Sequence, residues 1–320
     1  MPLAQLEQIT LHYVTLDQPR PIGARREEVV MVHGLGANLG FWYLRIAPML
    51  SAYARVTLFD LRGHGLSEMP RSGYGVDRLA ADMRELLDHL GIGSAHLVAH
   101  SFGGSVAAHF ACLHPDRVKS LTLVDTRMRS LQPNLRLRDW AHWPRYRDLM
   151  RENGFVFDED GGEFGIQLFN QMARLRVHEP DRADRLGAMM PSPFSGKNGK
   201  RSAMRWLELI ERTTALDEFG RAGDVPTDRL PSLRMPIVGL YGEYSQALET
   251  ARELSRLCEH ADIRILPRAG HFFPLHMPEK VVEPVARLLD ASWLPQPTAA
   301  PAWMHGTVTG LAEPVLLKKT

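Results

Sequence analysis

Val98-Ala99-His100-Ser101-Phe102-Gly103-Gly104 sets one serine among small residues, where an apolar run over residues 95–99 gives way to a helix-compatible run over 105–112. A serine lifted onto a sharp strand-to-helix turn exposes its hydroxyl at the end of a sheet. The crowding of that turn demands small residues two positions before and two after it. Ala99 and Gly103 meet the demand. Alanine adds a methyl group where glycine is the commoner occupant of a strained backbone.

Alone, such a string is weak, because serines between small residues are frequent in turns. The order of the surrounding segments gives it weight. A β-branched run over residues 29–33 stops at His33-Gly34-Leu35-Gly36, and residues 56–60 stop at Asp60-Leu61-Arg62-Gly63-His64-Gly65-Leu66-Ser67. Both read as buried parallel strands that end in glycine-rich loops. Residues 121–125, 236–242 and 263–267 repeat the pattern, and the last runs into Ala269-Gly270-His271-Phe272-Phe273-Pro274. Helical patterns over 77–90, 105–114, 247–257 and 279–289 fill the gaps. This alternation predicts an α/β fold with a mostly parallel central sheet flanked by helices.

With those four signatures in that order, the sequence resembles the α/β-hydrolase superfamily over about residues 6–290, one long insertion excepted. The resemblance implies the α/β-hydrolase fold and leaves the substrate open.

The 320 residues are 44% hydrophobic, enough for a large buried core. With 38 basic against 37 acidic residues, nothing points to nucleic acid or an anionic membrane surface as partner. The arginines between residues 136 and 151 read as solvated helix faces. Cys112 and Cys258 have no metal-type or redox-type neighbours, so no disulfide framework is expected. Residues 1–8 lack a basic patch followed by an apolar core, and no clean apolar span reaches membrane length. The expected location is the cytoplasm, with no integral membrane segment.

The alternation stops between Asp125 and Pro231, far beyond an ordinary connection. Residues 1–126 and 231–291 are therefore expected to form the core, and 127–230 a helical lid, or cap. Trp140, Trp143, Phe164, Met172 and Trp206 are among its aromatic and methionine residues. Most of these should be the lid's own core, with some, Trp140 and Trp143 among them, walling an apolar substrate pocket. Residues 191–200 have loop chemistry and read as a mobile flap. Residues 292–320 read as an extended, proline- and alanine-rich C-terminal extension, pinned through Trp293, Trp303 or residues 314–317.

A serine hydroxyl attacks a carbonyl carbon only when a base takes its proton. The resemblance places that base at His271, and Gly270 and Phe272 flank it as in the family. An imidazole can both accept the proton and return it to a leaving group. His33, His64 and His100 stand where the family carries non-catalytic histidines; His100 and Gly34 are expected to line the substrate site. The resemblance also assigns the oxyanion donors to the backbone N–H groups of Phe102 and Leu35. Asp60 and Arg62 read as a structural hydrogen-bonding pair.

The acid departs from the family pattern. Most members carry aspartate three residues beyond a glycine after the seventh strand, and here Gly242-Glu243-Tyr244-Ser245 offers serine. Three alternatives remain: an acid moved to Asp125 after the sixth strand, Glu243 as the alternative acid, or no acid at all. Acids after the sixth strand occur in relatives that act as thioesterases or lipases. The leading expectation is a serine hydrolase that cleaves a carboxylic ester or thioester with an apolar acyl or alcohol part, through an acyl-enzyme. Its partner would be a small-molecule substrate, free or carrier-bound, with no metal or other cofactor implied. An acyltransferase or C–C bond hydrolase using the same serine, and a non-catalytic ligand receptor, are the alternatives. Oligomeric state and substrate identity are not legible.

Overall fold

The computed structural model describes residues 2–18, 27–133, 135–161, 163–190, 192–196, 198–220 and 223–289. Among the described residues eight strands form one sheet: β1 (Leu3–Gln5), β2 (Thr10–Leu16), β3 (Glu28–Val32), β4 (Arg55–Phe59), β5 (Ala95–His100), β6 (Val118–Val124), β7 (Ile237–Gly242) and β8 (Asp262–Leu266). Their order is β1-β2-β4-β3-β5-β6-β7-β8. β3 to β8 pair in parallel, as the apolar runs predict, while β1 and β2 add an antiparallel edge beside β4 that the sequence reading did not anticipate.

The helices are α1 (Gly40–Tyr43), α2 (Ile46–Leu50), α3 (Val76–His89), α4 (Phe102–Leu113), α5 (Trp143–Glu152), α6 (Phe164–His178), α7 (Pro180–Met189), α8 (Gly199–Arg212), α9 (Ala215–Phe219), α10 (Leu248–Leu257) and α11 (Glu279–Leu289). Successive strand residues face opposite sides of a sheet, and the inner parallel strands carry apolar residues on both, whereas the edge strand β8 is partly exposed. Val30, Val32, Leu97 and Ala99 join one core with α3 and α4. Val29, Met31 and Val98 join a second with α2 and α11.

α4 begins at Phe102, three residues before the sequence reading starts its helix. Gly103 and Gly104 are poor helix formers, but packing explains both. A Cβ on Gly103 would lie 2.3 Å from the His33 carbonyl oxygen, and one on Gly104 1.9 Å from Thr126 Oγ1. The glycines let α4 lie against neighbouring strand ends.

Asp60 and Arg62 do not pair with each other. The Asp60 carboxylate accepts His12 Nδ1–H at 2.7 Å and the amides of Leu39 and Leu66 at 2.7 and 2.9 Å. Arg62 donates twice to Asp82 of α3, at 2.8 Å each. The bonds to His12 and Asp82 join segments far apart in sequence, so adjacency misled the reading.

Between β6 and β7 the chain inserts α5 to α9. Their apolar faces, including Trp143, Phe164 and Trp206, form a third core with Phe194 between α7 and α8 and with Tyr74 of the body. The far end is tied down by Glu218, whose carboxylate accepts the amides of Gly73, Tyr74 and Gly75 at 3.1, 2.7 and 3.2 Å. Within the segment read as a flap, Phe194 is 1% exposed: its ring packs against Phe169 and close over Gly36. The C-terminal extension over 292–320 lies outside the described residues, as do Trp293 and Trp303. Among the described residues no helix is long and apolar enough to cross a membrane.

Candidate active site

Parallel register sets the site. His100 pairs with Val124 and Val124 with Leu240, so β5, β6 and β7 release their chains side by side. Ser101 leaves β5 at φ 55° and Asp125 leaves β6 at φ 46°, both in the left-handed region that L residues avoid. Each such conformation costs about 1–3 kcal/mol and persists where surrounding structure holds it. Here Ser101 N–H donates to the Val124 carbonyl at 2.9 Å and Asp125 N–H to the Leu240 carbonyl at 2.7 Å. The strained turns aim both side chains out of the sheet.

His271 follows β8. Its Nδ1–H donates to Asp125 Oδ1 at 2.7 Å, which leaves a lone pair on Nε2. The loop reaches there because Gly242 is bare: a Cβ on it would stand 2.5 Å from the Ala269 carbonyl oxygen.

The Asp125 carboxylate is fully buried. Oδ1 accepts both His271 Nδ1–H and the Ser245 hydroxyl, the latter at 2.6 Å, and Oδ2 accepts Gly242 N–H at 2.8 Å. Burial alone would raise its pKa, but the bond and charge of His271 together with the Gly242 and Ser245 bonds outweigh it and hold the carboxyl below its ordinary value. Glu243 is elsewhere. Its Oε2 accepts the Arg268 amide at 2.6 Å, at an exposed position.

Ser101, His271 and Asp125 line one cavity of about 390 Å³, together with Leu35 and Phe102. Phe102 is the first residue of α4, so its N–H lacks an intrahelical acceptor and carries the positive end of the helix dipole. The loop bearing Leu35 comes close because Gly34 has no side chain: a Cβ there would lie 2.9 Å from Ser101 Cβ. Gly34 and His100 are not on the cavity wall. His100 packs beneath it, stacked on Phe41, with Nε2–H donating to the His271 carbonyl at 3.0 Å. Burial, then the charge of His271, pushes its pKa down to about 3, so the ring is neutral.

Much of the remaining wall comes from the insertion and is largely apolar; the loops after β7 and β8 supply most of the rest. Trp140 and Trp143 both line it, with Tyr146 stacked on Trp140 and with Phe169 and Phe219. Phe219, Arg127 and Arg129 are among the wall residues missed in the sequence. Phe219 lies far along the insertion, and only its apolarity could have flagged it. Arg127 and Arg129 directly follow the Asp125 turn, at a spacing of two that was a usable signal. Glu163 pairs with both and ties the start of α6 to the chain leaving β6.

The α/β hydrolase fold family model matches residues 28–276. The chain belongs to the α/β-hydrolase family. Among curated relatives of this α/β-hydrolase, the 2-hydroxy-6-oxo-2,4-heptadienoate hydrolase of Pseudomonas putida is 25% identical over 258 residues, which is 76% of this chain and 82% of that one. The dihydrolipoyllysine-residue acetyltransferase component of the Pseudomonas putida acetoin cleaving system is 44% identical over 96 residues, 30% of this chain. That match spans only 26% of the relative's own length. The enol-lactonase of Burkholderia xenovorans LB400 shares the fold at a TM-score of 0.60 and 20% identity, over 90% of this chain and 99% of that one.

Proposed function

We propose that this α/β-hydrolase is a serine hydrolase of carboxylic esters or thioesters with an apolar acyl or alcohol part. The observation that carries the reading is the His271 Nδ1–Asp125 bond of 2.7 Å, beside a cavity that Ser101 also lines. With Nδ1–H held by the carboxylate, Nε2 of His271 is the base that takes the Ser101 proton as Oγ attacks the carbonyl carbon. The amides of Phe102 and Leu35 receive the oxyanion. Collapse releases the alcohol or thiol, which takes its proton from His271, and water activated by the same nitrogen then frees the acid. The insertion acts as a lid, and its aromatic wall favours apolar substrates.

The test is a fluorophosphonate probe with mass-spectrometric site mapping, followed by a panel of p-nitrophenyl esters and acyl-thioesters of graded length. Labelling at Ser101 and turnover that rises with apolar length support the reading. Absence of both supports a binding protein on the same fold. Similarity to the 2-hydroxy-6-oxo-2,4-heptadienoate hydrolase over most of both chains favours a second reading, a C–C bond hydrolase using the same serine. Turnover of that dienoate without ester turnover would select it.

A further inference from the structure

We propose that Ser245 is a positioning residue for the acid: its hydroxyl aims the Asp125 carboxylate at His271 from the loop position where the family pattern puts the acid itself. The inference rests on reading Ser101, His271 and Asp125 as a catalytic triad.

The hydroxyl has one proton, and its direction is fixed. Ser245 Oγ accepts the Ala247 amide at 2.9 Å, within the tight turn closed by Ser245 N–H donating to the Gly242 carbonyl at 3.0 Å. With that lone pair engaged, the O–H is directed to Asp125 Oδ1 at 2.6 Å. The same oxygen receives His271 Nδ1–H, and Gly242 N–H holds the other. Rotation of the carboxylate about its Cβ–Cγ bond would break all three bonds together. A short bond to a charged acceptor in a buried place is of the strong class.

Ser245 is 3% exposed and is not on the cavity wall, although Tyr244, Gln246 and Ala247 are. It therefore touches the reaction only through Asp125. The loop after β7 also still reaches the point that an acid on it would occupy. The carboxylate has one seat beside His271, and side chains from β6 and from the β7 loop both arrive there.

Two sets of variants test this on a p-nitrophenyl ester, each with a thermal melt and the fluorophosphonate label. Ser245→Ala should lower kcat about tenfold with KM unchanged, from loss of one bond to a charged group. Ser245→Thr, which keeps the hydroxyl, should restore most of it. Asp125→Gly empties the seat and suits φ 46°; it should cost about 10³-fold or more in kcat. Adding Ser245→Asp to Asp125→Gly should recover at least about tenfold, whereas adding Ser245→Asn, the same shape without charge, should not. An Asp125→Gly protein that melts normally and keeps full activity would refute the triad reading. A normal loss with no recovery in the folded Ser245→Asp double variant would refute the proposal for Ser245 alone. So would an unchanged kcat in Ser245→Ala, or a KM effect in place of a kcat effect.

Discussion

Asp125→Asn is the most revealing single substitution, because an amide keeps the shape of the carboxylate and can satisfy only part of its surroundings. The seat offers three donors and no acceptor: His271 Nδ1–H and the Ser245 hydroxyl on one oxygen, Gly242 N–H on the other. An asparagine brings one oxygen and one NH₂. If the oxygen faces Gly242, the NH₂ points at His271, which must shed its Nδ1 proton and carry it on Nε2. That tautomer cannot accept the serine proton. If the oxygen faces His271, the NH₂ meets the Gly242 N–H head-on. Either orientation leaves a buried donor without an acceptor, costing about 1–3 kcal/mol of stability. The activity loss adds the missing charge opposite the imidazolium, so kcat should fall about 10³- to 10⁴-fold, or about 4–5.5 kcal/mol. Stopped-flow or steady-state turnover of a p-nitrophenyl ester, with chemical denaturation alongside, measures both. The Asp125 carboxyl sits below its ordinary pKa in the folded protein, so its contribution is present above the unfolded value of about 3.9 and disappears as pH falls through the folded one. The stability gap between wild type and Asp125→Asn should therefore narrow below about pH 4. A folded Asp125→Asn protein within a factor of ten of wild-type turnover would refute this reasoning.

Ser101→Ala should leave the melt intact and lower turnover by about 10³-fold or more, and His271→Ala should do similar damage with the double variant little worse, since the two act as a unit; fluorophosphonate labelling and ester kinetics check both. Glu243→Gln should stay within about twofold of wild-type kcat, because Glu243 bonds the Arg268 amide and not His271. Asp82→Ala leaves Arg62, whose side chain is 4% exposed, without its carboxylate, and should lower unfolding free energy by about 3–5 kcal/mol in urea. Gly103→Ala should destabilise without touching the chemistry directly, since its methyl would meet the His33 carbonyl at 2.3 Å; a variant as stable as wild type would contradict the close packing of α4.

The parallel strands were legible because a strand buried on both faces is a continuous apolar run, and 29–33 and 95–99 are such runs. The start of α4 was not, because glycine is a poor helix former locally and Gly103 and Gly104 serve contacts with residues 33 and 126. The same distance defeated the Asp60 and Arg62 reading: their partners, His12 and Asp82, are visible only in three dimensions. At the site, the serine standing in place of an acid at 245 was readable as a gap. That its hydroxyl would sit 2.6 Å from Asp125 was not, since that depends on how β6 and β7 pair. The wall residues of the insertion were legible as a set and not one by one, because an aromatic in a helix looks the same whether it packs on its neighbours or faces a cavity.

The separate core of the insertion has a thermodynamic consequence. Its apolar residues pack mainly on one another, and few pack on the sheet. Its hydrogen bonds to the body include Arg205 with the Ser67 carbonyl, Thr214 with the Arg71 carbonyl and Glu218 with the amides of residues 73–75, while Arg127 with Glu163 joins α6 to the chain leaving β6. Two cores that each pack mainly on themselves can lose order at different free energies. Amide hydrogen exchange should then show α5 to α9 opening as a unit below the global unfolding free energy, with β5 and α4 still protected. Substitutions that re-sort substrates in the wall would draw on the insertion's own reserve of stability, and the strained turns at Ser101 and Asp125 would be insulated from that loss.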